Sequence, residues 1–233
     1  MIIALLFSSI LAITPAAPGA QQKTRKQTNE DQAQQALNSA IGAYRAGQLD
    51  AAIARAREAD ALLPQNPQIR LHLGLFLYEK SAGSLEAQSL MESVLDKFPS
   101  NNDLALRLLN SYLQTGSDEK LSRLLERLQA RMSADSRFAF NIVYTLIHHN
   151  RFLDAKKEIA QVSNNLQGEV LFIGGLISFG TGQNKEAIDL FRRAGSLGFP
   201  AADSRQMLTL AAAYFRLREF RPAAQAYENS SRN

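Results

Sequence analysis

Residues 39–67 read SAIGAYRAGQLDAAIARAREADALLPQNP, and the spacing inside this stretch decides the fold. Ala52, Ala56 and Ala59 are separated by four and three positions, so they share one face of a helix. Pro64 stops that helix, because its ring removes a backbone donor and clashes with the preceding turn. Upstream of Gly47, the residues Ala36, Ser39, Ala40, Ala43 and Tyr44 give a second helical stripe. Gly47 itself suits the left-handed conformation that ends a helix. The stretch therefore predicts helix, tight turn, helix, stop.

The same unit recurs to the end of the chain. Anchors equivalent to Ala52 stand at Ala87, Leu121, Ala155, Ala187 and Ala223, with successive separations of 35, 34, 34, 32 and 36. Four residues after each anchor come Ala56, Met91, Leu125, Ile159, Phe191 and Tyr227. Seven after come Ala59, Val94, Leu128, Val162, Ala194 and Ser230. Five before come Gly47, Ala82, Gly116, Asn150, Gly182 and Arg218, of which four are Gly or Asn. Small residues at Ala40, Gly74, Gly175 and Ala211 fall near the middle of the first helices, where absent bulk lets two backbones approach. Pro99, like Pro64, follows its anchor by 12 residues.

A helical hairpin of about 34 residues with these features resembles the tetratricopeptide repeat. The resemblance covers residues 33–233 in six units, about 33–67, 68–101, 102–135, 136–167, 168–203 and 204–233. The chain departs from the pattern where unit two carries an extra residue at its turn (SAGS, 81–84), where Leu121 replaces a small anchor, and where the terminal Pro is missing or displaced after unit three. The resemblance implies an all-α fold, a right-handed α-solenoid of stacked helix-turn-helix repeats whose inner surface is lined by the first helices. It also implies a protein or peptide partner. The groove positions are then Leu37, Ile41 and Tyr44; Leu71, Leu75 and Tyr78; Leu106 and Leu113; Phe140, Tyr144 and Ile147; Phe172, Leu176 and Phe179; and Leu208 and Phe215. These side chains are apolar or aromatic, which favours an apolar peptide or amphipathic helix over a charged tail. The basic pattern by which some relatives hold a terminal carboxylate is not present.

Composition agrees with this and excludes much else. The chain has 233 residues, 45% of them hydrophobic and 21% charged, with 13 Gly and 7 Pro, a globular rather than disordered balance. It has no Cys, which removes disulfides, thiolate metal sites and a Cys nucleophile. The net charge of +4 is spread along the chain, and the only tight basic cluster is Lys23, Arg25 and Lys26, so no nucleic-acid partner is expected. Ile2 to Ile13 is an apolar run of 12, followed by Ala16-Ala17-Pro18-Gly19-Ala20. It is too short to span a membrane and matches a secretory signal, here assigned to residues 1–20, although nothing basic precedes it. An exported protein, periplasmic or secreted, with no stable membrane span after cleavage is the expectation. Residues 21–32 contain no apolar side chain and are expected to be a flexible leader.

Catalytic motifs are absent. His148 and His149 are adjacent and so lack the i, i+4 spacing of a two-histidine metal site, while His72 lies in an apolar helix (LHLGLFLY). Gly180-Thr181-Gly182-Gln183-Asn184-Lys185 lacks the phosphate-loop spacing, and its Gly182 is a hairpin turn. Ser117-Asp118-Glu119-Lys120 opens a helix, where Ser and acidic residues serve as caps. No enzyme activity, metal or cofactor is expected. The last unit ends without a polar capping helix, leaving Ala223, Ala224 and Tyr227 unshielded. That end points to self-association through the last repeat, or alternatively to a docking or oligomerisation arm of a larger enzyme or sensor.

Overall fold

The computed structural model describes residues 18–160, 162, 167–199 and 204–231. The helices in chain order are α1 (Pro18–Arg45), α2 (Leu49–Leu62), α3 (Pro67–Lys80), α4 (Leu85–Val94), α5 (Asn102–Thr115) and α6 (Asp118–Ala134). They continue with α7 (Ser136–His148), α8 (Phe152–Ile159), α9 (Gln167–Gly180), α10 (Asn184–Ser196), α11 (Ser204–Arg216) and α12 (Phe220–Ser231). Among the described residues there is no strand. Consecutive helices pair as six hairpins, and α1, α3, α5, α7 and α9 also touch one another in succession, so the odd helices form the inner row of an α-solenoid.

The repeat anchors all lie in the even helices, and all are buried, from Ala52, Ala87, Ala155 and Ala187 at 0% exposure to Ala223 at 7%. Five of the six turns share one geometry. Gly47, Gly116, Asn150, Gly182 and Arg218 adopt positive φ. After each, the next N–H reaches back to the helix: Gln48 to Ala43, Ser117 to Tyr112, Arg151 to Leu146, Gln183 to Ser178 and Glu219 to Tyr214, all at 2.7–2.9 Å. This bond satisfies a carbonyl that the helix end would orphan. Arg218 adopts that conformation despite having a Cβ.

Unit two solves its longer turn differently. The Ser84 hydroxyl caps α4 by accepting the Ala87 N–H. Buried Gln88 donates to the Ser111 carbonyl at 3.2 Å and to the Thr115 hydroxyl at 2.9 Å, while the Ser111 hydroxyl donates to the Ala82 carbonyl. A polar seam thus fastens the irregular turn to α5.

Close packing inside a hairpin rests on the small positions of the odd helices. A Cβ on Gly175 of α9 would lie 2.5 Å from the Phe191 ring of α10, and one on Gly74 of α3 would lie 3.1 Å from Met91 of α4. Between hairpins, ion pairs recur at the repeat spacing: Asp50 with Lys80, Arg57 with Glu86, Glu79 with Arg107, Glu92 with Lys120, Asp96 with Arg127, Asp118 with Arg151, and Arg192 with Glu219. Each is at least partly solvated and contributes about 0–1 kcal/mol, so apolar burial carries the stacking.

That burial is divided. One large cluster runs from Ala40 to Ile177, a second gathers Phe172, Leu176, Phe191, Tyr214 and their neighbours in the last two hairpins, and a small third joins Ala33, Ala36, Leu37, Ala59 and Ile69. Helix α9 serves both, giving Ile173 and Ile177 to the first and Phe172 and Leu176 to the second.

The N-terminus departs from expectation. The apolar run at residues 2–13 lies outside the described residues, and Pro18 to Ala20 open α1. Residues 21–32, expected as a flexible leader, are helical. Thr28, Glu30, Asp31 and Gln32 are exposed and Asn29 is half-buried. However, Gln, Lys, Arg and Glu are good helix formers, and a helix already nucleated by packing at Ala33, Ala36 and Leu37 extends at little cost.

Candidate peptide-binding groove

The inner faces of α3, α5 and α7 enclose an open concavity of about 680 Å³, lined by Tyr78, Leu106, Arg107, Asn110, Asn141 and Tyr144 and completed by Thr145 and His148. Three residues expected in the groove, Tyr78, Leu106 and Tyr144, meet here. The remaining lining is polar, so the groove is mixed rather than a continuous apolar stripe.

The other expected positions divide by their place on the inner helices. Leu37, Leu71, Phe140, Phe172 and Leu176 are at most 7% exposed and belong to the core. Ile41, Leu75, Leu113 and Ile147 are half-buried and pack against that core, and half-buried Phe179 lies under the Arg216 guanidinium. Tyr44 is exposed but stacks on Phe76 with ring centroids 4.8 Å apart. Leu208 and Phe215 are exposed on a different surface, beside Phe220 and Tyr227 at the last hairpin. The reason is geometric. An inner helix touches its own partner helix and both neighbouring inner helices, so its apolar arc is broad and only its edge reaches the groove. Polar residues next to that arc, such as Arg107, Asn110 and Asn141, then take much of the lining.

The polar wall is held in place by its own hydrogen bonds. The Asn110 amide nitrogen donates to the Tyr78 hydroxyl at 2.6 Å, and its oxygen is 2.7 Å from His149 Nε2. With the amide in this orientation, that contact is made by a ring carrying its hydrogen on Nε2. Burial, and then the neighbouring His148, push the His149 pKa below its ordinary value, which favours the neutral ring. The Arg107 guanidinium lies 5.2 Å from the Tyr78 ring centre and pairs with Asp103 and Glu79. Burial works against its charge, yet the two carboxylates raise its pKa. Across the groove, the Tyr144 hydroxyl donates to Glu169 at 3.2 Å. Burial raises the Glu169 pKa in spite of that bond. The exposed Asn141 amide is left facing the concavity. The arrangement offers hydrogen-bond donors and acceptors, two tyrosine rings and one leucine on a fixed backbone, which suits binding.

Other expectations about chemistry are placed as follows. His148 ends α7 and His149 caps it, the rings meeting edge-on at 5.5 Å. The Asn110–His149 bond, which joins residues 39 apart, has no sequence signature. Ser117 precedes α6 but makes no side-chain cap bond, because its hydroxyl pairs with Thr115 at 2.9 Å; Asp118 and Glu119 do occupy the first turn. Among the described residues no cluster of His, Asp and Glu could hold a metal ion, and no helix is long and apolar enough to cross a membrane.

Solved structures similar to this chain include MamA of strain AMB-1, at 21% identity over 71% of this chain and 99% of that one, with a TM-score of 0.50. MamA of Desulfovibrio magneticus RS-1 is 16% identical over 87% of this chain and 94% of that one, with a TM-score of 0.50. PilF of Pseudomonas aeruginosa is 14% identical over 85% and 90%, with a TM-score of 0.51. No family model matches the chain, and no curated protein matches it. Six hairpins in one anchor register, five of them with the same turn geometry, and this likeness make the chain, in fold, a helical-repeat protein of the tetratricopeptide type.

Proposed function

We propose that this chain is a non-enzymatic scaffold that holds a segment of another protein in the concavity of α3, α5 and α7. The observation that carries the reading is the fixed wall of Tyr78, Arg107, Asn110 and His149 beside the open Asn141 amide. Pre-oriented groups bind without losing side-chain entropy at the moment of contact, which is where much of the cost of association lies. The mixed lining favours a segment with an apolar or aromatic side chain against Leu106 and Tyr144 and polar backbone or side-chain groups against Asn110 and Asn141. The reading includes export to the cell envelope or exterior. The 12-residue apolar run at Ile2 to Ile13 and the small residues after it support that, and the mass of the mature N-terminus tests it.

The binding test is affinity capture followed by identification, comparing the wild type with Leu106→Glu/Asn141→Arg. Both residues are on the surface of the groove, so the variant should keep its helical circular dichroism. Loss of a defined set of partners by the folded variant is expected. The same partners recovered equally by wild type and variant would refute the groove.

A further inference from the structure

We propose that the outer face of the last hairpin is a twofold interface between two copies of this chain. Helices α11 and α12 leave an apolar concavity of about 680 Å³ lined by Leu208, Ala212, Phe215, Phe220, Ala224 and Tyr227. Leu208 is 46% exposed, Phe215 65%, Phe220 60% and Tyr227 63%.

This face is built like an interior surface. Tyr227 stands four residues after its anchor; of its equivalents, Ala56, Met91, Leu125 and Phe191 are at most 5% exposed and Ile159 is half-buried, with the next hairpin beside them. The natural cover in a head-to-tail stack would be α1 of a second copy. That helix does not complement it. Gln35 and Ser39 lie 12 and 8 residues before their turn residue Gly47, where unit three has buried Leu104 and Leu108 before Gly116 and unit four has buried Phe138 and Ile142 before Asn150. Both polar residues are exposed, the Ser39 hydroxyl donates to the Gln35 carbonyl, and the Gln34 amide bonds Asn38. The first hairpin therefore carries a polar end cap, and stacking it on the last one would bury amides and hydroxyls without new partners.

The apolar face complements itself. In the antiparallel hairpin, Phe215 and Phe220, rings 5.8 Å apart, lie at the turn end and Leu208 and Tyr227 at the other, with Ala212 and Ala224 between; we take the large side chains as ridges and the alanines as the trough. A twofold axis between ridge and trough sets the Phe215–Phe220 ridge of each copy into the alanine trough of the other, an isologous contact that closes at two copies. At about 200 Å² per large side chain, the exposed fractions of these residues amount to on the order of 450 Å² per copy. With the alanines, two copies remove roughly 1,000 Å² from water, the size at which specific interfaces begin.

Sedimentation equilibrium of the full chain across roughly 1 to 100 µM should show monomer and dimer and no higher species. Phe215→Glu or Tyr227→Glu should raise the dissociation constant about tenfold or more, because each copy would bury an unpaired carboxylate. A wild type that stays monomeric throughout, or folded variants that still dimerise, would overturn the proposal. A second measurement does not depend on those variants. The chain has no cysteine, so Ala224→Cys provides a single site for a short bismaleimide. Cross-linking Ala224→Cys to itself, with Ser39→Cys alone remaining uncoupled, is expected. Failure of Ala224→Cys to cross-link, or coupling of Ala224→Cys to Ser39→Cys in a mixture, would equally overturn it.

Discussion

Two adjacent glycines of α9 should respond to the same substitution with opposite signs. A Cβ on Gly175 would come within 2.5 Å of two carbons of the Phe191 ring, whereas one on Gly174 would meet only the two methyls of Leu190, at 3.4 and 4.0 Å. The ring cannot swing away freely. Phe191 is 2% exposed and packed against Phe172 and Tyr214, with ring centres 5.7 and 5.8 Å distant. Overpacking of this kind costs about 1–3 kcal/mol. Replacing a helix-interior glycine by alanine recovers about 0.5–1 kcal/mol of backbone entropy. Gly175→Ala should therefore lose about 1–2 kcal/mol, and Gly174→Ala, with only ordinary contact to make, should gain about 0.5–1 kcal/mol. Urea unfolding followed by circular dichroism at fixed protein concentration reads both. Phe191→Leu supplies the cross-check: added to Gly175→Ala it should cost less than it does alone, a coupling that a double-mutant cycle reports. Two substitutions shifting the midpoint in the same direction, or an additive cycle, would refute the close approach of α9 and α10.

Arg218 holds positive φ at a turn where Gly47, Gly116 and Gly182 stand in other units, so Arg218→Gly should stabilise the last hairpin by about 1 kcal/mol in the same urea assay. Glu158 is 1% exposed and its Oε2 has no hydrogen-bond partner. Burial raises its pKa from the ordinary 4.5, opposed by Lys157 and assisted by Asp154. Between the unfolded and the raised folded value the native state binds more protons, so this group's contribution to stability falls as pH rises through that window. Glu158→Gln should remove that slope and raise the urea midpoint at neutral pH, and an unchanged pH profile would contradict the assignment.

The repeat was legible because its determinants are local. A turn residue, an anchor five later and a stripe at +4 and +7 are short-range constraints, and they recur in six copies, so the hairpins and their buried anchors follow from spacing alone. What depended on a third helix was not legible. Whether Leu71 or Tyr78 faces the groove depends on how far α3 is rotated against α1 and α5, and both residues carry the same apolar mark in the chain. Gln88 reads as a surface residue, and only the longer turn at 81–84 hints that something must fasten it; the bonds to Ser111 and Thr115 come from the next unit. Arg218 shows the reverse case: its place in the register required a left-handed residue although its identity did not suggest one. Residues 21–32 carry no apolar side chain, yet a lack of apolar side chains does not prevent a helix continuing from a packed one.

The division of the core at α9 makes the last cluster a thermodynamic compartment of its own. In a linear array stability is a sum of unit and neighbour contributions, so the weakest junction sets where the array first opens. Opening of α10 to α12 would strip Phe172 and Leu176 of their cluster neighbours while Ile173 and Ile177 of α9 stay packed in the larger cluster. The concavity of α3, α5 and α7 rests mainly on the larger cluster, with Tyr144 packed against both, and the apolar face of α11 and α12 belongs to the second. Load or heat that frays the last hairpin need not release what the concavity is holding, and the contact that couples the two runs through Tyr144.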